Sequence, residues 1–167
     1  MIRRLGFPLL EDPPPSTTVL GDWYANTLRL GSAQVVLCTS ERSLLSVVVP
    51  ARDLRSSLVP VLRDHVGALL LHIGVLPRLV QRELGEMQLV AFARTANKSV
   101  LGSMNDFAIN LKYLAYNHPQ LSLEDMTLQL CGTPCMPLRA AFPTEAAKAL
   151  FEERPANNGV HLTRSAR

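Results

Sequence analysis

Residues 88–117, with the sequence QLVAFARTANKSVLGSMNDFAINLKYLAYN, contain the two patterns that decide the predicted fold. Residues 89–93 are continuously apolar, which is typical of a strand covered on both faces. From residue 100 onward, apolar residues recur at steps of three and four, which predicts a long amphipathic helix. Its predicted core face consists of Val100, Leu101, Met104, Phe107, Ala108, Leu111, Leu114 and Ala115. Its predicted polar face carries Asn105, Asp106, Asn110, Lys112 and Tyr113.

The junction between this strand and this helix is a candidate anion-binding corner. Asn97 and Ser99 are both favourable N-cap residues. A helix N-terminus offers free backbone N–H groups and the positive end of the helix dipole, and Arg94 and Lys98 lie beside it in the sequence. The alternative interpretation is that the cap residue only satisfies the helix end and that both cations are solvated.

The remaining sequence predicts a three-stranded antiparallel meander followed by helices. Proline-rich residues 1–18 form an N-terminal arm, with a short edge strand at residues 2–5 as one option, and residues 19–153 form a single domain. The fold class is α+β: the meander is joined by the later central strand at residues 89–93 and is packed with four to five helices. The predicted strands are residues 22–30, 34–39 and 44–49. The predicted helices are residues 53–75, 77–85, 99–117, 122–131 and 145–153. Residues 133–142 are predicted to form an irregular loop, and residues 154–167 a disordered tail.

Composition limits the classes of function. The 167 residues are 47% apolar and 19% charged with a net charge of +3, which is typical of a globular cytoplasmic protein and gives no membrane-spanning run. Aromatic residues are only 5%, so the dense basic and aromatic surface of a nucleic-acid binder is not expected. The three cysteines, Cys38, Cys131 and Cys135, are interpreted as buried thiols, with a zinc site at the C-x3-C pair as the alternative.

The first predicted strand holds the only tryptophan, in the element D-W-Y-A-N at residues 22–26. Strand alternation places Asp22, Tyr24 and Asn26 on one face and Trp23, Ala25 and Thr27 on the other. Trp23 is interpreted as a core anchor, and the alternative is that it lines a pocket.

Two elements of the chain, D-W-Y-A-N and A-R-T-A-N-K-S-V-L-G-S-M-N-D at residues 93–106, resemble an uncharacterised family of small bacterial proteins. That family carries a W-H/Y-A-N strand motif and a K-T-x-x-R-S-V-L-G-S-M-N-D-like motif. The resemblance covers residues 18–116 and implies a shared fold without a known activity. Tyr24 stands where many members have histidine, which argues against a role for an imidazole at that position. The tail is similar to translated recombination-site sequence at the ends of mobile integron gene cassettes, which implies an accessory gene.

Both motifs contribute polar residues to one hypothetical cleft for ligand binding. The predicted set is Trp23, Asn26, Arg94, Thr95, Lys98, Ser99, Ser103, Asn105 and Asp106.

The expected function is that of a binding or regulatory module that recognises a protein partner or a small anion, without catalytic residues, metal or cofactor. One alternative is an enzyme that uses Asp106 or Asp22 as base with Arg94 or Lys98 as an electrostatic clamp. The other is a nucleic-acid-associated toxin–antitoxin component.

Overall fold

The computed structural model describes residues 8–53, 58–95, 97–139 and 141–153. Three strands form an antiparallel sheet in chain order: β1 (Trp23–Leu30), β2 (Ala33–Ser40) and β3 (Ser46–Pro50). Leu30 pairs with Ala33 across a two-residue turn, and Gly31 adopts the φ of 57° that such a turn favours. The predicted meander is confirmed, with strand ends shifted by one or two residues.

Five helices follow in the described part of the chain: α1 (Leu58–His72), α2 (Pro77–Glu86), α3 (Lys98–Asn117), α4 (Leu123–Cys131) and α5 (Pro143–Glu152). Local sequence sets several of their starts, since α2 and α5 begin with proline and α4 begins with the predicted capping box of Ser122 and Asp125. The predicted irregular loop contains one short 3-10 turn at Met136–Leu138. The α+β class is confirmed. None of the described helices has the length and apolarity needed to span a bilayer.

The sheet lies between two helical layers because β2 is apolar on both faces. Val36 and Cys38 belong to a core cluster with residues of α1, α2 and α5, whereas Val35 and Leu37 belong to a second cluster with α3 and α4. The predicted core face of α3 is buried or half-buried throughout, and its predicted polar face is exposed. The periodicity of α3 therefore identified correctly which side of the helix meets the sheet.

Helix α4 covers the free edge of β3 with side-chain hydrogen bonds. The Val48 N–H donates to Thr127 Oγ1 at 3.1 Å, and Cys131 Sγ both accepts from the Ser46 N–H at 3.5 Å and donates to the Ser46 carbonyl at 3.2 Å. An uncovered edge would present unpaired backbone groups to other chains. Burial raises the pKa of the Cys38 and Cys131 thiols to about 12, and it also raises the pKa of Cys135. All three thiols are buried, as predicted.

The predicted central strand at residues 89–93 is wrong. The described sheet has three strands, and Leu89 and Val90 are 85% and 45% exposed. An isolated parallel bridge joins Leu10 to Ala93, with the Leu10 N–H donating to the Phe92 carbonyl at 2.7 Å. Five consecutive apolar residues are compatible with a strand buried on two faces, but they do not show that an edge of the sheet is free to receive it.

A buried carboxylate in α2 fixes the chain that leads into β1. Glu83 is 1% exposed and accepts the Val19 N–H at 2.7 Å and the Leu20 N–H at 3.0 Å. One turn later, Glu86 accepts a hydrogen bond from the Thr17 hydroxyl. Thr17 of the predicted arm, and Val19 and Leu20 directly after it, are therefore bonded to α2. The edge strand predicted at residues 2–5 and the predicted tail at residues 154–167 lie outside the described residues.

Replacing Glu83 with leucine should destabilise the protein strongly. The Val19 and Leu20 amides would lose their acceptor, at a cost of roughly 1–3 kcal/mol for each buried N–H left unpaired. Glu83→Gln should fall between wild type and Glu83→Leu, because its single oxygen accepts fewer bonds. Urea unfolding measures the effect. Glu86→Gln is the matched control, at an exposed bond on the same helix, and an equal loss in that variant would contradict the role assigned to Glu83.

Candidate functional site

A cavity of about 400 Å³ opens where the N-terminal segment, the start of β1, the start of α1 and the segment after α2 meet. We call it the β1 cavity. Its apolar wall includes Trp23, Tyr24, Leu58, Leu62, Met87 and Phe92. Its polar groups include Ser16, Thr17, Thr18, Asp22, Glu86, Arg94 and Thr95. The apolar residues 89–93 form part of this wall, which explains why an apolar run lies outside the sheet.

Trp23 is both a packing residue and a cavity residue. It packs, partly buried, against the core cluster of α1 and α2. Its indole Nε1 is buried and has no hydrogen-bond partner among the described residues, while the residue as a whole forms part of the cavity wall. A buried N–H without an acceptor costs free energy, and an acceptor atom of a bound molecule would remove that cost. The two interpretations offered for Trp23 from sequence are therefore compatible.

The charges around the cavity are mixed. Arg94 contributes a guanidinium, whereas Asp22 and Glu86 contribute carboxyl groups. Burial raises the pKa of the Asp22 carboxyl above its ordinary value; the Glu41 carboxylate raises it further, and the Arg42 guanidinium opposes both effects. With two carboxyl groups beside one guanidinium, the cavity is poorly suited to a multiply charged anion.

The N-terminus of α3 is capped within the chain. Asn97 Oδ1 accepts the Ser99 N–H at 3.0 Å and the Val100 N–H at 3.3 Å, so the predicted Asn97 cap is confirmed. Asn97 Nδ2 also donates to the Glu41 carboxylate at 3.1 Å. Two of the free N–H groups and the adjacent space are thus already occupied by protein groups, which weakens the expected anion corner.

The structure brings together only three of the nine predicted site residues. Trp23, Arg94 and Thr95 line the β1 cavity. Ser103 is buried, and its hydroxyl donates to the Ser99 carbonyl within α3 at 3.2 Å. The remaining five are exposed and are not among the described residues that line the cavity: Asn26, Lys98, Ser99, Asn105 and Asp106.

Sequence reasoning did not assign Glu86, Met87, Phe92 or residues 16–18 to the site. The apolar run at residues 89–93 was the available signal, but it was interpreted as a strand.

A second cavity, of about 420 Å³, lies between α1, α4 and the end of β3. Its lining includes Asp64, His65, His72 and Glu124 above an apolar floor. His65 Nδ1 lies 2.9 Å from the Val61 carbonyl, and because a carbonyl only accepts, this nitrogen is the N–H donor. Across the described residues, histidine, cysteine and carboxylate side chains do not assemble into a group of three or more able to hold a metal ion. None of the nine predicted site residues lines this cavity.

Asp22→Asn should stabilise the protein at neutral pH, because asparagine stays neutral in a place where the carboxylate is disfavoured. The folded pKa of Asp22 is raised above the ordinary value of 3.8, so the native state holds its proton more tightly than the unfolded state. As pH rises above about 3.8, the Asp22 carboxyl loses its proton, and the charged form destabilises the native state. The gain in unfolding free energy of Asp22→Asn should therefore vanish below about pH 3.8. Urea unfolding at pH 3 and pH 7 measures this difference, and a constant difference at both values would contradict it.

Comparison with known proteins identifies the family but not a characterised relative. A family model described as a domain of unknown function, DUF6933, matches residues 2–146. Neither the curated proteins nor the solved structures give a significant match. The matched span includes all three strands, α1 to α4 and the β1 cavity with both motifs quoted above. The chain therefore belongs to the DUF6933 family.

Proposed function

We propose that this protein is a binding module whose β1 cavity takes a small organic ligand with an apolar body and one acceptor oxygen, a carboxylate or a carbonyl. The observation that carries the proposal is the buried Trp23 Nε1–H, which lacks a partner among the described residues and belongs to a side chain of the cavity wall. Indole N–H groups in buried positions ordinarily find an acceptor.

The size and lining of the cavity favour a small molecule over a macromolecule. Its volume of about 400 Å³ falls in the range of roughly 300–1,000 Å³ that is usual for ligand pockets. Such pockets are mainly apolar with a few polar groups that fix orientation, and here Met87, Phe92 and Leu62 supply the apolar contact.

The charges select the kind of head group. Arg94 provides one cation for a carboxylate, and Thr95 lies beside it in the sequence with a hydroxyl group. The Asp22 and Glu86 carboxyl groups disfavour a polyphosphate or a nucleic acid. The proposed ligand is therefore narrower than the small anion expected from sequence, and it occupies the cavity instead of the end of α3.

Octanoate should bind and change the fluorescence of Trp23, the only tryptophan, in a saturable way. Octanamide should bind as well, since it keeps the acceptor oxygen, whereas octylamine should bind least. Arg94→Ala should weaken octanoate binding by roughly tenfold, the effect of losing a charge-assisted bond of about 1.4 kcal/mol, and should change octanamide binding little. Trp23→Phe, followed by calorimetry, should weaken binding of both compounds by roughly 2- to 10-fold.

Lys98→Ala is the matched control, because Lys98 is an exposed cation four residues from Arg94 that is not among the described lining residues. It should bind octanoate like wild type. If Lys98→Ala weakens binding as much as Arg94→Ala, the ligand lies at the end of α3. If neither octanoate nor octanamide binds, the proposed ligand class is wrong.

A second candidate function is an enzyme with Asp22 as its base. One observation favours it: Asp22, whose pKa is raised, lines the same cavity as the Arg94 guanidinium. Cys38 also lines this cavity, but a thiol with a pKa of about 12 stays protonated and is not a nucleophile.

This second function predicts turnover of chromogenic carboxylic esters by the wild-type protein. Asp22→Asn should abolish the turnover, because the amide cannot accept a proton, whereas Asp106→Asn should leave it intact, because Asp106 lies on the exposed face of α3. Steady-state assays measure both variants. Turnover that survives in Asp22→Asn would exclude Asp22 as the base.

A further inference from the structure

The outer face of α3 carries three large side chains that the rest of the chain leaves exposed. Ile109, Tyr113 and Tyr116 are 65%, 63% and 87% exposed. The opposite face of the same helix already packs on the sheet through residues such as Met104, Phe107 and Leu111. Helix α3 thus carries large side chains along two separate stripes, and the described residues of the chain bury only one of them.

The exposed stripe has the spacing of a helix-pairing seam. Gly102, Asp106, Ile109, Tyr113 and Tyr116 follow one another at alternating steps of four and three residues. This is the spacing of the a and d positions of a coiled coil, which keeps one line of side chains facing a partner helix. We call these five residues the α3 seam.

Gly102 gives the seam a depression that the domain itself does not need. Among the described residues, a Cβ at Gly102 would meet nothing within 4 Å, so none of them excludes a larger side chain there. Glycine inside a helix costs stability relative to alanine. A partner that approaches the helix closely at this point supplies a physical reason for the glycine.

We propose that the partner is a second copy of this chain, with the two α3 helices packed antiparallel about a two-fold axis at Ile109. Gly102 and Tyr116 each lie seven residues from Ile109, so Tyr116 of one copy meets Gly102 of the other at the same level. Asp106 lies three residues before Ile109, and Tyr113 lies four residues after it. In the antiparallel pair, Asp106 of one copy and Tyr113 of the other are therefore within about 1.5 Å of each other along the helix axis. The tyrosine hydroxyl then donates to the carboxylate across the interface. The same patch serves both copies, as two-fold symmetry requires.

A parallel arrangement lacks this complementarity. It sets Asp106 against Asp106, which places like charges opposite each other, and Gly102 against Gly102, which leaves a gap. It also sets Tyr116 against Tyr116 and Tyr113 against Tyr113, so the large side chains meet at the same levels. The order of small, acidic and aromatic residues along the seam therefore selects the antiparallel pair.

Sedimentation equilibrium of the full chain tests the proposal. The wild-type mass should rise with concentration from 18.4 kDa toward twice that value. Ile109→Glu, which places two carboxylates at the axis, should stay at 18.4 kDa at the same concentrations. Leu71→Glu is the matched control, since Leu71 is 50% exposed on α1, and it should associate like wild type. A monomeric wild type up to millimolar concentration, or equal dissociation in Leu71→Glu, would overturn the proposal.

Two further variants separate pairing from misfolding and fix the orientation. Gly102→Leu should abolish association by filling the depression, yet its thermal unfolding at low concentration should occur no earlier than that of wild type. Under a mild oxidant, Ile109→Cys should form a disulfide between copies because the residue faces itself at the axis. Lys98→Cys should not, because the two sites lie about 30 Å apart in the antiparallel pair. Cross-linking of Lys98→Cys without cross-linking of Ile109→Cys would exclude this arrangement.

Discussion

The buried carboxylate of Glu83 holds together the part of the molecule in which the β1 cavity lies. Its oxygens accept the Val19 and Leu20 amides just before β1, in a position that is 1% exposed. A carboxylate removed from water is tolerated when backbone N–H donors replace the lost hydration. This contact ties the N-terminal segment to α2, and the residues on either side of it become two walls of one cavity.

The sheet explains why the cavity lies at the start of β1. Both faces of β2 are buried under helices, and the outer edge of β3 is covered by Thr127 and Cys131 of α4. The start of β1 is instead flanked by loop segments, where packing is less complete. There the Trp23 indole is buried without an acceptor among the described residues. Trp23 packs against the core, yet its indole N–H has no acceptor among the described residues. The proposed ligand site depends on this unpaired donor.

The two proposals rest on different surfaces and are physically independent. The ligand site uses the loop after α2, whereas the proposed self-association uses the solvent face of α3, whose N-terminus is closed by Asn97 and Glu41. Asp106 illustrates the distinction: the sequence placed it with Arg94 in one cleft, but the structure puts it on the exposed stripe with Ile109 and Tyr113. In the proposed pair of α3 helices, its carboxylate accepts a hydrogen bond from a tyrosine hydroxyl of the other copy.

Local patterns in the sequence were sufficient for most of the fold. The steps of three and four in α3, the alternation and turn residues of the meander, and the capping box of α4 each describe interactions within a few residues, so the chain itself encodes them. The D-W-Y-A-N and S-V-L-G-S-M-N-D elements likewise pointed to an uncharacterised family, and the family model agrees with that assignment.

Only the tertiary structure decided where residues 89–93 go and which polar residues meet. An apolar run records that a segment avoids water, but its partner depends on which sheet edges remain open, and the outer edge of β3 is already bonded to α4. Arg94 and Lys98 are four residues apart, yet Arg94 lines the cavity while Lys98 begins α3 and faces solvent. Proximity along the chain does not determine direction in space, because Arg94 belongs to the segment before α3 whereas Lys98 is the first residue of the helix.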